Sequence, residues 1–338
     1  LEESPERLLG LMMGCGSFVT AAAPAIGPTF GGIMTQYFTW RYIFICVLPV
    51  IVLASFIGYF CMSEQIINKH EKFDFLSFIA VALAFVSLIM GFSNLNQIVD
   101  DLVFVLGCFI IGIISLYYFT KRQLHIKNSL IRIEIFNHKG FTFHTLAIMF
   151  LQMTTLGYGL LLPTFVQIVL KQPATDAGVV LLPGAIVGAV FAPIGGLILD
   201  RLGAKKPIVL GLCCSFIATF CFLFFFKNLT YQSCILFYFI YSLGIGLIVG
   251  NTMTSAMSHL PKNLQADGNA TLQTLMQLSG GIGTSITATI LAFVQQGTNL
   301  YDGTNRGALF ALIFLMFNIN IVILSQYFAF KGGKKNEF

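Results

Sequence analysis

"AAAPAIGPTFGG", residues 21–32, lies inside an apolar run and yet carries two prolines and three glycines. In water such a run ends a helix: proline lacks the amide donor, and each glycine costs about 1 kcal/mol against alanine. Pro24, Gly27, Pro28, Gly31 and Gly32 nevertheless fall in a chain that stays apolar on both sides. Lipid removes the contradiction. There, neighbouring helices satisfy the backbone groups that proline frees, and glycine lets helices approach closely. The stretch reads as part of a bent, tightly packed membrane helix over residues 8–35.

The rest of the chain agrees. Of 338 residues 57% are hydrophobic and 10% charged, where a typical soluble domain carries about 25% charged residues. The mean hydropathy is +0.85, and there are 35 phenylalanines. Apolar runs long enough to span a bilayer occur at 8–35, 42–62, 75–95, 102–119, 141–168, 176–199, 207–226, 232–256, 266–295 and 306–330. The expected fold class is an all-α multi-pass membrane protein. Fifteen of the 19 Lys and Arg residues fall in one set of alternate loops; Arg41, Lys171, Lys227 and Arg306 fall in the other. The positive-inside rule then places both chain ends in the cytoplasm. This bias accounts for the net charge of +5, so the charge argues for no nucleic-acid partner. The eight cysteines lie in or beside apolar spans without metal spacing, so they read as small apolar filler and no metal site is expected. A phosphate-binding G-x-x-x-x-G-K-[ST] loop is lacking, which implies no ATPase partner, and no hydrolytic constellation points to an enzyme.

Two motifs narrow the class. The first runs Gly14, Ala23, Gly27, Pro28, Gly31, Gly32. It resembles the antiporter motif of exporters in the major facilitator superfamily, which usually has glycine where this chain has Ala23. A generic small-residue packing face is the plainer reading. Gly27, Gly31 and Gly32 would leave a groove in which a neighbouring helix seats and seals the cytoplasmic side. "WRYIFICVLP", residues 40–49, is similar to the run that often follows this motif; Trp40 and Arg41 suit the outer interface. The second motif, "GGLILDRLGAKK" at 195–206, supplies Gly196, Asp200, Arg201, Gly203, Lys205 and Lys206. It resembles the cytoplasmic loop motif of the same superfamily, which acts as a latch: Asp200 meets a helix N-terminus and Arg201 a carboxylate. A basic turn obeying the positive-inside rule is the alternative.

The resemblance implies the major facilitator fold. Counting from the helix that carries the first motif to the loop that carries the second, twelve-helix members have four helices and this chain has six, which resembles the fourteen-helix drug:proton antiporter branch. Ten of fourteen transmembrane helices would be present, with the first four lacking at the N-terminus. Residues 1–63 would then close the N-terminal bundle, 64–120 hold two inserted helices, 121–140 form an amphipathic cytoplasmic loop lying at the interface, 141–330 make the C-terminal bundle, and 331–338 a basic cytoplasmic tail. The implied activity is efflux of drugs or other lipophilic small molecules across the plasma membrane by alternating access, with protons and lipid as partners and the proton gradient in place of a cofactor. The alternatives are a truncated membrane fragment that does not transport, and an importer of the same superfamily.

In this superfamily two helical bundles enclose a central cavity. Polar side chains deep in the spans are the candidates for its wall: Gln152, Thr155 and Tyr158; Asn251 and Thr252; Gln273 and Gln277; Asn318. Interhelical hydrogen bonding is the competing role, worth about 0.6 kcal/mol on average. All 14 acidic residues fall in loops or at span edges, so a mid-membrane proton carrier is lacking. His144, at a span start, is expected to be solvated or interfacial, with proton relay as the sharper alternative. In the resembling family the coupling carboxylate sits on early helices, so these ten spans alone should not couple transport to protons.

Overall fold

The structure, a computed structural model, describes residues 27, 29–61, 74–97, 101–126 and 131–333. It is helical: α1 (29–37), α2 (Arg41–Cys61), α3 (Phe75–Ser93), α4 (Leu102–Gln123), α5 (Lys139–Ile168), α6 (Ala174–Val179), α7 (Leu182–Leu202), α8 (Lys205–Phe224), α9 (Tyr231–Ser258), α10 (Gln265–Gln295) and α11 (Leu300–Gly333). Among the described residues nine helical spans are long and apolar enough to cross a membrane, α6 and α7 together counting as one. The tenth expected span, 8–35, lies largely outside the described residues.

Local chemistry sets the helix ends. The Asp74 and Asp101 carboxylates accept from the backbone N–H groups of Ser77 and Phe104 and so cap α3 and α4. Thr230 and Ser233 form a reciprocal capping box on α9. The expected span 176–199 is broken: α6 ends at Val179, and α7 starts at Leu182 with Pro183 in its first turn, where a missing donor costs nothing.

Helices α5 and α7 to α11 form one bundle. α5 packs on α10 and α11, and α9 on α7 and α8. The α7–α9 seam is backbone against backbone: a Cβ on Gly246 would run into the carbonyl oxygen of Gly188 and sit 3.2 Å from the amide nitrogen of Ala192. In lipid, where burying apolar surface drives little association, such close packing holds helices together. Loops 169–173, 225–230 and 296–299 join helices at one end of the bundle. Residues 203–204 and 259–264 join them at the other, which carries Arg132, Lys139, Lys205, Lys206, Lys262 and Lys331 and is called the basic end below.

Helices α3 and α4 form a hairpin fastened at its basic-end mouth. Arg122 donates to both carboxylate oxygens of Asp74, at 3.0 Å each, and the Gln123 amide donates to Ser77 Oγ at 2.8 Å. These two hydrogen bonds from the Arg122 guanidinium hold the Asp74 carboxyl well below its ordinary pKa. The hairpin rides on α10 through Ser93–Ser285 (2.8 Å) and through the Thr289 hydroxyl, which donates to the Phe92 carbonyl at 2.9 Å. No described residue of α2 is buried.

The segment expected to lie at the interface behaves otherwise. Residues 133–137 form a short 3-10 helix whose Ile135 is fully buried among Phe141, Ile148, Met257 and Leu272. Arg132 pairs with Asp267 on the first turn of α10 at 3.2 Å. The apolar side of the segment thus plugs the basic end of the bundle rather than facing lipid. Burying a side chain such as Ile135 is worth about 1.5–3 kcal/mol.

Candidate functional site

Of the antiporter-motif residues, Gly14, Ala23 and Pro28 lie outside the described residues. Gly27 and Gly31 face open space, where an added Cβ would meet nothing within 4 Å. Gly32 does not: a Cβ there would sit 2.7 Å from the carbonyl oxygen of Ala174 and 3.4 Å from the Cα of Gly178. Two hydrogen bonds flank this seat. The Thr29 hydroxyl donates to the Gly178 carbonyl at 3.2 Å, and the Thr175 N–H donates to Gln36 Oε1 at 3.1 Å. The groove therefore receives α6, through Gly32 alone of the described motif glycines. The seat is at the bundle end opposite the basic loops. The expected seal was on the cytoplasmic side, the side that the positive-inside rule gives to the basic loops; the Gly32 contact is at the other end of the bundle.

The second motif forms the α7–α8 corner. Gly196 is buried in α7, and Asp200 and Arg201 sit in its last turn. Gly203 terminates the helix at φ 79°, a left-handed conformation that favours glycine, with its N–H donating to the Leu199 carbonyl at 2.8 Å. Lys205 and Lys206 open α8 and are exposed. Arg201 is exposed, and the ion pairs found among the described residues join Arg122 to Asp74 and Arg132 to Glu134 and Asp267 instead.

The polar positions assigned to a cavity divide into two groups. Four are packing residues. Tyr158 is fully buried, with its hydroxyl donating to Thr219 Oγ1 at 3.0 Å. Its ring lies 4.7 Å from that of Tyr241 and 6.2 Å from that of Tyr238. Asn251 is buried against Gly195 and donates to the Leu247 carbonyl at 2.7 Å. Thr252, also buried, accepts from the Gln326 amide at 3.1 Å. Asn318 is buried with neither amide atom hydrogen-bonded among the described residues. For these four, interhelical contact replaces the expected cavity wall, since the bundle closes around them. The second group stays accessible. Gln152, Thr155 and Gln273 are half-buried and Gln277 is exposed. Thr155 shares a 2.9 Å hydrogen bond with the Tyr241 hydroxyl, which ties the accessible group to the packed one. Gln152 lies beside Gly280, and Gln277, three residues before it, shares that face of α10. The glutamines thus gather along the α5–α10 seam.

Some participants were not singled out from sequence. Thr219, Tyr238 and Tyr241 complete the Tyr158 cluster; the signal available was Tyr238, Tyr241 and Ser242 at helical spacing inside an apolar run. His144 is a correction. It is fully buried rather than solvated, with Nε2 3.0 Å from Ser255 Oγ and its ring 5.4 Å from that of His259. Gly140 makes room for the His259 ring one turn earlier on α5.

The described acidic residues stay at helix ends. Asp74 and Asp101 are caps, Asp200 is in a last turn, and Asp267 and Asp302 are in first turns.

A family described as the Major Facilitator Superfamily matches residues 2–284. Lincomycin resistance protein LmrB of Listeria monocytogenes is 30% identical over 303 residues, covering 90% of this chain and 64% of its own length. LmrB of Bacillus subtilis is 32% identical over 294 residues, covering 85% of this chain and 60% of its own. The tetracenomycin C resistance and export protein of Streptomyces glaucescens is 24% identical over 294 residues, covering 85% and 54%. This chain spans less than two thirds of each of these relatives.

Proposed function

This chain belongs to the Major Facilitator Superfamily, a family of multi-pass membrane transporters, and from that premise we propose that the protein carrying it exports lipophilic small molecules, drugs among them, in exchange for protons. The observation that carries the reading is the Gly32 seat. A stretch of chain with no side chain at its contact point holds the backbone of α6 through two hydrogen bonds. Such a seam is short and separable. It joins α1, which precedes the inserted pair α3–α4, to α6, which leads into the C-terminal bundle. Opening and closing it is what alternating access requires of one gate.

The remaining parts follow from chemistry. The basic end faces the cytoplasm of the cell by the positive-inside rule, and the protein sits in the plasma membrane. The α7–α8 corner, with Asp200, Arg201, Lys205 and Lys206, is a latch at that end. The six spans from the first motif's helix to the second motif's loop favour the fourteen-helix drug:proton branch, in which α3 and α4 are the inserted pair. Substrate meets Gln152, Thr155, Gln273 and Gln277 along the α5–α10 seam, with Phe and Met side chains as an adaptable apolar wall. No cofactor takes part. The coupling proton needs a carboxylate or histidine whose pKa burial moves toward working pH. No acidic residue of the described spans lies away from a helix end, so none of these carboxylates sits where such a carrier is needed.

The test is drug accumulation in a host stripped of its own exporters, with the protein expressed from its whole reading frame. Lower steady-state dye inside expressing cells, restored by a protonophore, is the expected result. Equal dye with and without expression at confirmed membrane abundance refutes export, and efflux unaffected by the protonophore refutes proton coupling.

A further inference from the structure

Helices α8 and α11 leave a groove of about 630 Å³ between them, on a part of the bundle that the transport seam does not use. Its wall is apolar for most of its length, through Val209, Phe216, Ile217 and Ile323. It opens outward: Ile217 is 53% and Tyr327 60% exposed. One end is different. Lys205, on the first turn of α8, and Lys331, in the last turn of α11, both line it there. Both are exposed, and neither makes an ion pair among the described residues. Lys205 also stands where the helix macrodipole is positive, so its charge adds to the helix's own. Beneath the lysines, Gln326 lines the groove while only 1% exposed, its amide donating to Thr252 inside the bundle.

The dimensions select the occupant. From Lys205 to Ile217 the groove follows α8 for twelve residues, or about 18 Å at 1.5 Å per residue. One leaflet of the hydrocarbon core is about 15 Å deep, half of its 30 Å. The groove therefore starts at an interface, ends near the midplane and is entered from the bilayer. An occupant needs an apolar chain of leaflet length and a negative charge at one end. We propose that the α8–α11 groove binds an anionic phospholipid from the leaflet at the basic end, its phosphate at Lys205 and Lys331 and one acyl chain along Val209, Phe216, Ile217 and Ile323. Lysines dispersed on a membrane protein snorkel singly. Two from different helices, set over one apolar groove, make a site that distinguishes an anionic from a zwitterionic headgroup. Lys205 also belongs to the α7–α8 corner proposed above as a latch, so the test reads lipid binding and not transport.

The probe is tryptophan quenching by brominated lipid. The chain has one tryptophan, Trp40; in a Trp40→Phe background, Ile217→Trp puts a reporter in the groove. The full chain is reconstituted in phosphatidylcholine bilayers containing brominated phosphatidylglycerol or brominated phosphatidylcholine. The expected result is quenching by the phosphatidylglycerol at several-fold lower lipid fraction. Each lysine beside an anionic headgroup is worth about fivefold in affinity. Lys205→Gln with Lys331→Gln should therefore remove that preference and bring the two lipids level, and raised salt should act the same way. Lys171→Gln with Lys227→Gln, at the opposite end, should change nothing. Cys213→Phe keeps both lysines but fills the groove, and it should reduce quenching by both lipids. Equal quenching by the two lipids in the parent overturns the proposal, as does a preference that survives the double lysine substitution. Absence of quenching by either lipid, or phosphatidylglycerol quenching unchanged by Cys213→Phe, overturns it as well.

Discussion

Replacing Gly32 with alanine adds one methyl group at the α1–α6 seat. The nearest atom is the Ala174 carbonyl oxygen, 2.7 Å from the Cβ position, with the Gly178 Cα at 3.4 Å. Ordinary contact at a Cβ begins at about 3.4 Å, so α1 must retreat by about 0.7 Å. Backbone lies on both sides, and no flexible side chain can yield instead. Overpacking of this kind costs about 1–3 kcal/mol, which lowers the population of the closed seat about 5- to 150-fold. Alanine also gains about 1 kcal/mol of helix propensity over glycine. Gly31→Ala shares that gain, and its Cβ meets nothing within 4 Å, so the pair isolates the contact. The assay is disulfide formation between Gln36→Cys and Thr175→Cys in a cysteine-free background, since these residues share a 3.1 Å hydrogen bond across the seat. Cross-linking should slow 5-fold or more with Gly32→Ala and be unchanged or faster with Gly31→Ala, and dye export should follow the same order. Equal cross-linking in both variants, or a loss confined to Gly31→Ala, would refute the reasoning.

Other perturbations test the packing elsewhere in the fold. The Asp74 carboxyl has a depressed pKa in the folded state; its contribution is complete above the unfolded value of about 3.9 and is lost as pH falls through the folded value. Thermal unfolding of the purified chain should therefore weaken below about pH 4, and Asp74→Asn should flatten that dependence while lowering stability at pH 7. Gly246→Ala drives a methyl into the Gly188 carbonyl and should destabilise by about 1–3 kcal/mol in denaturant titrations; Gly159→Ala, with open space around it, should not. Asn318 is buried with both amide atoms unpartnered among the described residues, so Asn318→Leu should hold or raise stability by about 1 kcal/mol. A clear loss in the same titration would mean that the amide is satisfied.

The spans were legible because hydropathy is a sum over about twenty residues and survives local exceptions. It fails where a helix outlives its apolar run. α11 begins at Leu300, six residues before its expected start, because Asp302, Thr304 and Asn305 are polar and helical at once. It also missed the break at Val180–Leu181, where the chain stays apolar and only Pro183 marks the change. Site residues were less legible for a different reason. A polar side chain in an apolar run must turn away from lipid, and that holds for Tyr158 and Gln277 alike. Which of them meets a packed neighbour and which meets open space depends on helix rotation. Tyr158 found Thr219, 61 residues away, and no local pattern carries that pairing. Ile135 misled in the same way: a basic, apolar stretch suits an interface, and it suits equally well a plug held by Arg132 and Asp267.

Proton-driven export is the central claim, and proteoliposomes test it most directly. The protein is reconstituted, and a pH gradient is imposed with a lipophilic dye present. The account predicts gradient-dependent dye movement above that of empty liposomes, lost on collapsing the gradient. Dye movement that ignores the gradient, or none above empty liposomes, would contradict it.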